Sequence, residues 1–234
     1  MKKHSVLKAA ALTAAAYTVS LRGRTKHPDL EILRRYRFAH RGYHDKPVVP
    51  ENSLPAFRRA IEHGWGAELD VHLMKDGTLA VIHDSSLLRT AGADVQIEDL
   101  TREELENYRL EGTDERIPLF DEVLALFENT TPLIIELKAA NGNHFALSKA
   151  VCERLDSYKG VFCIESFDPM VVADVRELRP GICRGQLAEN FLKGKGTLDP
   201  VRSVLATGLI GNALAKPDFI AFKFEDRSCI SNAL

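Results

Sequence analysis

The 234 residues are 45% hydrophobic and 27% charged, which suits one globular domain with a core of its own plus a short extra segment. A formal net charge of −2 and a sequence pI near 6.5 leave no basic excess to neutralise a nucleic-acid backbone, so the balance argues against nucleic-acid binding, and any phosphate is expected to be held locally. Cys152, Cys163, Cys183 and Cys229 are far apart and form no CxxC pair; they read as buried apolar fillers rather than zinc ligands or a disulfide framework.

In chain order, the first feature is the segment 1–24. Lys2 and Lys3 precede thirteen uncharged residues, Ala9 to Leu21, and Arg22, Arg24 and Lys26 follow. This pattern reads as a signal peptide or membrane anchor, so the expected location is membrane-associated or secreted. A soluble helix packed on the domain, with a cytoplasmic location, is the alternative. From residue 35 onward short β-like runs alternate with helical stretches, the order that builds an α/β domain around a parallel sheet. The strand-like runs are 36–40, 67–73, 78–83, 133–138, 161–166, 182–187 and 219–224, which makes seven. Helical patterns occupy 53–63, 119–127, 145–158 and 169–178. The first has Pro55 in its opening turn and Gly64 just past its end. Lys75-Asp76-Gly77 is a tight turn with no room for a helix between the second and third runs. The stretch 85–118 is polar and irregular apart from 100–108, where Thr101 and Glu104 have capping-box spacing. It reads as an excursion over the mouth of a barrel.

Side chains alternate along a strand, so Glu68 and Asp70 share one face of their run, as do Glu136 and Lys138. Buried carboxylates are costly and like charges repel, so three acids converging on one cavity call for a cation. Oxygen ligands favour a hard divalent ion, Mg2+ or Ca2+. His40 and His83 each close an apolar run, and two imidazoles suit a reaction that takes one proton and delivers another. Arg41 offers a planar fork for phosphate oxygens, Lys138 a point charge, and Gly42 a backbone that can approach a ligand closely.

The ordered motifs His40-Arg41-Gly42, Pro50-Glu51-Asn52-Ser53, Glu68-Leu69-Asp70-Val71, Lys75-Asp76-Gly77, His83-Asp84, Ile135-Glu136-Leu137-Lys138 and Ser166-Phe167 together resemble the glycerophosphodiester phosphodiesterase family. The likeness covers about residues 37–167 and extends more loosely to 216–224. It implies a TIM (β/α)8-type barrel over 35–234 that hydrolyses glycerophosphodiesters to sn-glycerol 3-phosphate and an alcohol with a divalent metal. Glu68, Asp70 and Glu136 fall on the family's metal-ligand positions, and His40 and His83 on its acid–base pair. His83 is the expected acid and His40 the expected base, with the reverse assignment open. Arg41 and Lys138 are expected to hold the phosphate, and Glu51 to orient His40, Arg41 or the glycerol hydroxyls.

Family members continue past the strand corresponding to 219–224 into a helix and a last strand, whereas this chain stops at Leu234. The expectation is therefore a barrel lacking its last strand and helix. Two alternatives follow: a phosphodiester-binding protein without activity, and a phosphatidylinositol phospholipase-like enzyme that releases a cyclic phosphate.

Overall fold

The structure is a computed structural model that describes residues 15, 17–19, 26–193, 199–226 and 228. Its frame is a parallel sheet in the order β1 (Phe38–Ala39), β2 (Gly66–Leu73), β4 (Leu133–Leu137), β5 (Phe162–Ser166), β6 (Arg184–Ala188) and β7 (Phe219–Phe222). β3 (Leu79–Val81) stands off this path, antiparallel to the end of β2.

Strand alternation divides the sheet into two faces with different fates. Ala67, Leu69 and Val71 of β2, Leu133, Ile135 and Leu137 of β4, and Ile164 of β5 point outward. They form one core with Phe57 and Ala60 of α2 (Leu54–Glu62), Phe120, Val123 and Phe127 of α5 (Phe120–Phe127), Leu147 and Val151 of α6 (His144–Leu155), and Val171 and Val175 of α7 (Pro169–Leu178). Burying each of these large side chains contributes about 1.5–3 kcal/mol, so this layer carries most of the hydrophobic stabilisation. Residues of the opposite parity face inward. At the lower, N-terminal end of the strands Ile134, Cys163, Cys183 and Phe219 meet Leu30 and Leu33 of α1 (Pro28–Leu33), which closes the floor of the barrel. The polar inward positions lie further along the same strands, above this apolar plug.

Helix starts are fixed locally. The Ser53 hydroxyl accepts from the Ala56 N–H and donates to the Pro50 carbonyl, capping α2 with Pro55 in its first turn. Asp168 caps α7 by accepting from the Met170 N–H. The capping box of Thr101 and Glu104 opens α4 (Arg102–Leu105).

Three strand expectations change. The 36–40 run is a strand only over Phe38–Ala39, because Arg41 (φ 57°) and Gly42 (φ 77°) turn the chain back against α2; a Cβ on Gly42 would lie 2.8 Å from that of Ala56. The 219–224 run is a strand over Phe219–Phe222. The 78–83 run is β3, and the tight turn before it reverses the chain, so it cannot be a parallel barrel strand; parallel neighbours need a long crossover. Six parallel strands, not seven, therefore build the wall among the described residues. Among the described residues the strand order ends at β1 and β7, and the fold is an incomplete α/β barrel.

The excursion 85–118 is more ordered than its composition implies. It folds as α3 (Leu88–Ala91), a 3-10 turn at Ile97–Asp99 and α4, around a small core of Leu87, Ile97, Leu100, Leu105, Leu110 and Ile117 set on Met74, Ala80 and Ile82. These apolar residues follow no helical period, which conceals the core from a periodicity reading. Cys152 and Cys163 are buried free thiols and Cys183 is buried, while Cys229 lies outside the described residues. The segment 1–24 lies outside them too, apart from 15 and 17–19. Tyr17 packs on Ala188, Leu209 and Phe222 and donates its hydroxyl to the Gly208 carbonyl at 2.5 Å. Among the described residues no helix is long and apolar enough to cross a membrane.

Candidate active site

The β2–β4 register pairs Asp70 directly with Glu136, and Glu68 lies two residues earlier on the same face of β2. One carboxylate oxygen from each of Glu68, Asp70 and Glu136 lies within 4.8 Å of the others, and all three side chains are buried. Burial and the neighbouring charge of Asp70 push the Glu68 carboxyl well above its ordinary range, opposed by the Arg41 N–H, which donates to Glu68 Oε2 at 2.9 Å. Burial likewise raises Glu136; the Lys138 ammonium works against it, and the charge of Asp70 with it. Glu68 Oε1 is buried with no hydrogen-bond donor. A set of three hard oxygen donors, one of them orphaned, fits a divalent cation.

Two groups hold this cluster from the sides. Asn52, in the left-handed region at φ 51°, donates from Nδ2 to Asp70 Oδ2 at 2.8 Å. Lys138 Nζ lies 2.6 Å from Glu136 Oε1 and 3.1 Å from Asp70 Oδ1. Burial would lower the Lys138 pKa, but Asp70 and Glu136 outweigh it and keep the ammonium charged.

The histidines meet through the geometry of β2. Successive carbonyls of a strand point to opposite sides: Val71 O accepts from Lys138 N on the β4 side, and Asp70 O accepts from Ile82 N on the other. β3 therefore lies on the flank that β1 also occupies. The two strands run toward each other along it and end at His40 and His83, close enough for the His83 charge to act on His40. His40 is 70% exposed at its side chain, with Nε2 4.0 Å from Glu68 Oε2; partial burial and the Arg41 charge draw its pKa below 6.5. Burial and Lys138 lower that of His83. Asp84, kept ionised against burial by Arg89 and His83, accepts from His83 Nδ1 at 2.6 Å and leaves Nε2 free.

Glu51 is the hub of the mouth. Its Oε1 accepts from Arg41 at 2.9 Å and from Arg89 at 2.6 Å, and its Oε2 pairs with Lys46 at 2.5 Å. Burial would raise this carboxyl, yet hydrogen bonds from Arg89 and Lys46 and the charge of Arg41 hold it well below the usual range. Arg89 also binds Asp84, so the excursion is tied to both Glu51 and the His83 loop.

All eight expected residues, His40, Arg41, Glu51, Glu68, Asp70, His83, Glu136 and Lys138, thus converge at one end of the sheet. Sequence reading overlooked Asn52, His72, Arg89, Glu98 and Glu165. Strand parity would have found His72 and Glu165, each two residues beyond or in register with an inward acid. Arg89 and Glu98 belong to the excursion and carry no local signal.

The profile of the glycerophosphoryl diester phosphodiesterase family matches residues 40–204. The chain belongs to this family. It is 37% identical over 161 residues to a glycerophosphodiester phosphodiesterase of Caldanaerobacter subterraneus subsp. tengcongensis, covering 64% of this chain and 65% of that protein. It is 38% identical over 121 residues to human lysophospholipase D GDPD1, covering 46% and 37%. The chain thus spans less than two thirds of the length of these curated relatives. Among solved structures of the family, a glycerophosphodiester phosphodiesterase from Thermotoga maritima superposes with a TM-score of 0.56 at 31% identity, over 79% of this chain and 72% of that one. An Oleispira antarctica phosphodiesterase, solved with the product sn-glycerol-3-phosphate, has a TM-score of 0.62 at 23% identity, over 84% and 88%. That likeness establishes the shared fold.

Proposed function

We propose that this chain is a metal-dependent phosphodiesterase that cleaves glycerophosphodiesters to sn-glycerol 3-phosphate and an alcohol. The observation that carries the reading is the convergence of the Glu68–Asp70–Glu136 triad and the His40–His83 pair on one stretch of β2. Glu68, Asp70 and Glu136 would hold the ion, Mg2+ or Ca2+ by the hardness of their donors. Bound there, it supplies Lewis-acid polarisation of a phosphoryl oxygen.

The chain's own groups do the rest. Arg41 and Lys138 present positive charge to the remaining phosphate oxygens and offset what develops on them in the transition state. His40, neutral at physiological pH, takes the proton of the attacking water or hydroxyl as an oxygen–phosphorus bond forms. His83, steadied through Nδ1 by Asp84, is the group that would carry a proton on Nε2 and give it to the alcohol oxygen as its bond to phosphorus breaks. Glu51 keeps Arg41 and Arg89 in place at the mouth. The pattern of the segment 1–24 supports delivery of this domain to a membrane or across it, which fractionation of the intact protein tests.

The test of function is incubation of glycerophosphocholine with the folded chain. Release of sn-glycerol 3-phosphate and choline, lost in Asp70→Asn, supports the reading. Accumulation of a cyclic phosphate instead favours a phosphatidylinositol phospholipase-like course. The strand order that ends at β1 and β7 among the described residues favours a second reading, a domain that binds the diester without turning it over; tight binding with intact diester would support it.

A further inference from the structure

Glu165 on β5 is an inward acid that the mechanism leaves unused. The β4–β5 register pairs it with Glu136, so it faces the same pocket, with only 7% of its surface exposed. No donor among the described residues serves its carboxylate. The nearest ammonium, on Lys138, is committed to Glu136 and Asp70, and the next strand offers Gly185 in register, which has no side chain. A Cβ at Gly185 would in any case meet the Phe219 ring at 2.2 Å. Glu165 also stands outside the triad whose oxygens approach within 4.8 Å. It is therefore an acceptor with no protein donor among the described residues, on a largely buried side chain whose remaining exposed surface faces the pocket.

Its position says which donor. Along the sheet the order β1, β2, β4, β5 puts the metal triad between the histidines and Glu165. The alcohol that leaves must reach the proton donor on the β1–β3 flank, so the glyceryl part of the diester is the part that extends toward β5. Glycerol carries hydroxyls that a carboxylate can accept from, whereas an acyl ester at the same carbon has no hydrogen to give. A site built to bond a hydroxyl rejects the analogue lacking it, because the protein group is then left buried and unpaired.

We propose that Glu165 is a specificity-determining residue that accepts a hydrogen bond from the terminal hydroxyl of the glyceryl group and so selects deacylated glycerophosphodiesters over substrates acylated there. The proposal rests on the phosphodiesterase reading above.

The test is calorimetric titration of the full chain, with magnesium or calcium ion present, by sn-glycerol 3-phosphate and by propane-1,2-diol phosphate, which lacks that hydroxyl. The wild type should bind the first about tenfold or more tightly than the second. Glu165→Leu, which has no acceptor, should shrink that ratio toward one while metal affinity, titrated separately, stays the same. In turnover, the wild-type preference in kcat/KM for glycerophosphocholine over lysophosphatidylcholine should fall by a similar factor in the variant. Equal affinities in the wild type, which requires no variant to fold, overturn the proposal. So does a preference that survives in Glu165→Leu, or a loss of metal binding there, which would make Glu165 a ligand. Absence of all wild-type turnover with the binding preference intact would count against the phosphodiesterase reading instead.

Discussion

His72 Nε2 donates to the main-chain carbonyl of His83 at 3.2 Å, and Nδ1 of the same ring lies 2.7 Å from Glu98 Oε1. A buried imidazole on β2 thereby fastens the His83 loop to the excursion, and Ser85 adds a hydrogen bond to the same Glu98 oxygen at 3.0 Å. Positioning errors of an ångström or so can cost up to about a hundredfold in rate. Glu98→Ala should therefore lower kcat on glycerophosphocholine about ten- to a hundredfold with KM little changed, as steady-state kinetics will read. An unchanged kcat would separate this network from the chemistry.

The two histidines make a sharper prediction. His40→Ala and His83→Ala should each reduce kcat by about 10²–10⁴. Because His40 is largely exposed and His83 stands at the rim, both variants should melt close to the wild type. Near-normal turnover in either would remove that residue from the mechanism.

Glu51 faces Arg41, Lys46 and Arg89 at once, so Glu51→Ala leaves three cations crowded together without their anion. Loss of such a partly buried partner should cost about 1–3 kcal/mol in denaturant unfolding and raise KM. The folded carboxyl titrates below its unfolded value, so its stabilisation is present above the unfolded pKa and fades only as pH falls through the lower folded one. The wild-type advantage over Glu51→Ala should thus persist through mildly acidic pH, which melting curves across that range check.

The metal triad has the opposite linkage. Glu68 and Glu136 are raised, and Glu165 is pushed up to about 8, by burial and by one another's charges. Without metal, the folded state binds more protons than the unfolded chain above the ordinary carboxylate value. Stability from these groups is then fully present below that value and is lost as pH rises toward about 8. Chelated protein should melt at lower temperature as pH is raised from about 5 to about 8, and millimolar magnesium or calcium ion should restore most of the loss. A flat profile, or no response to either ion, would contradict a metal site at these acids.

Much of this site was legible because strand alternation is a strict rule. Once 67–73 and 133–138 are read as strands, Glu68, Asp70, Glu136 and Lys138 must share a face, and the structure places them so. The same rule applied to 161–166 would have added Glu165. What the sequence concealed depends on contacts distant along the chain. Arg89 reaches Glu51 across thirty-eight residues, and Glu98 reaches His72 across twenty-six. The place of β3 was partly legible: its composition is that of any buried strand, but the tight turn at Lys75-Asp76-Gly77 already leaves no room for a parallel crossover, and β3 runs against β2.

The most direct measurement is a phosphorus NMR time course of glycerophosphocholine with the full chain, recorded with magnesium or calcium ion and again after chelator. Conversion of the diester signal to that of sn-glycerol 3-phosphate, arrested on chelation, is the predicted result. A diester signal that stays unchanged in the presence of either ion, with the protein folded, would contradict the account.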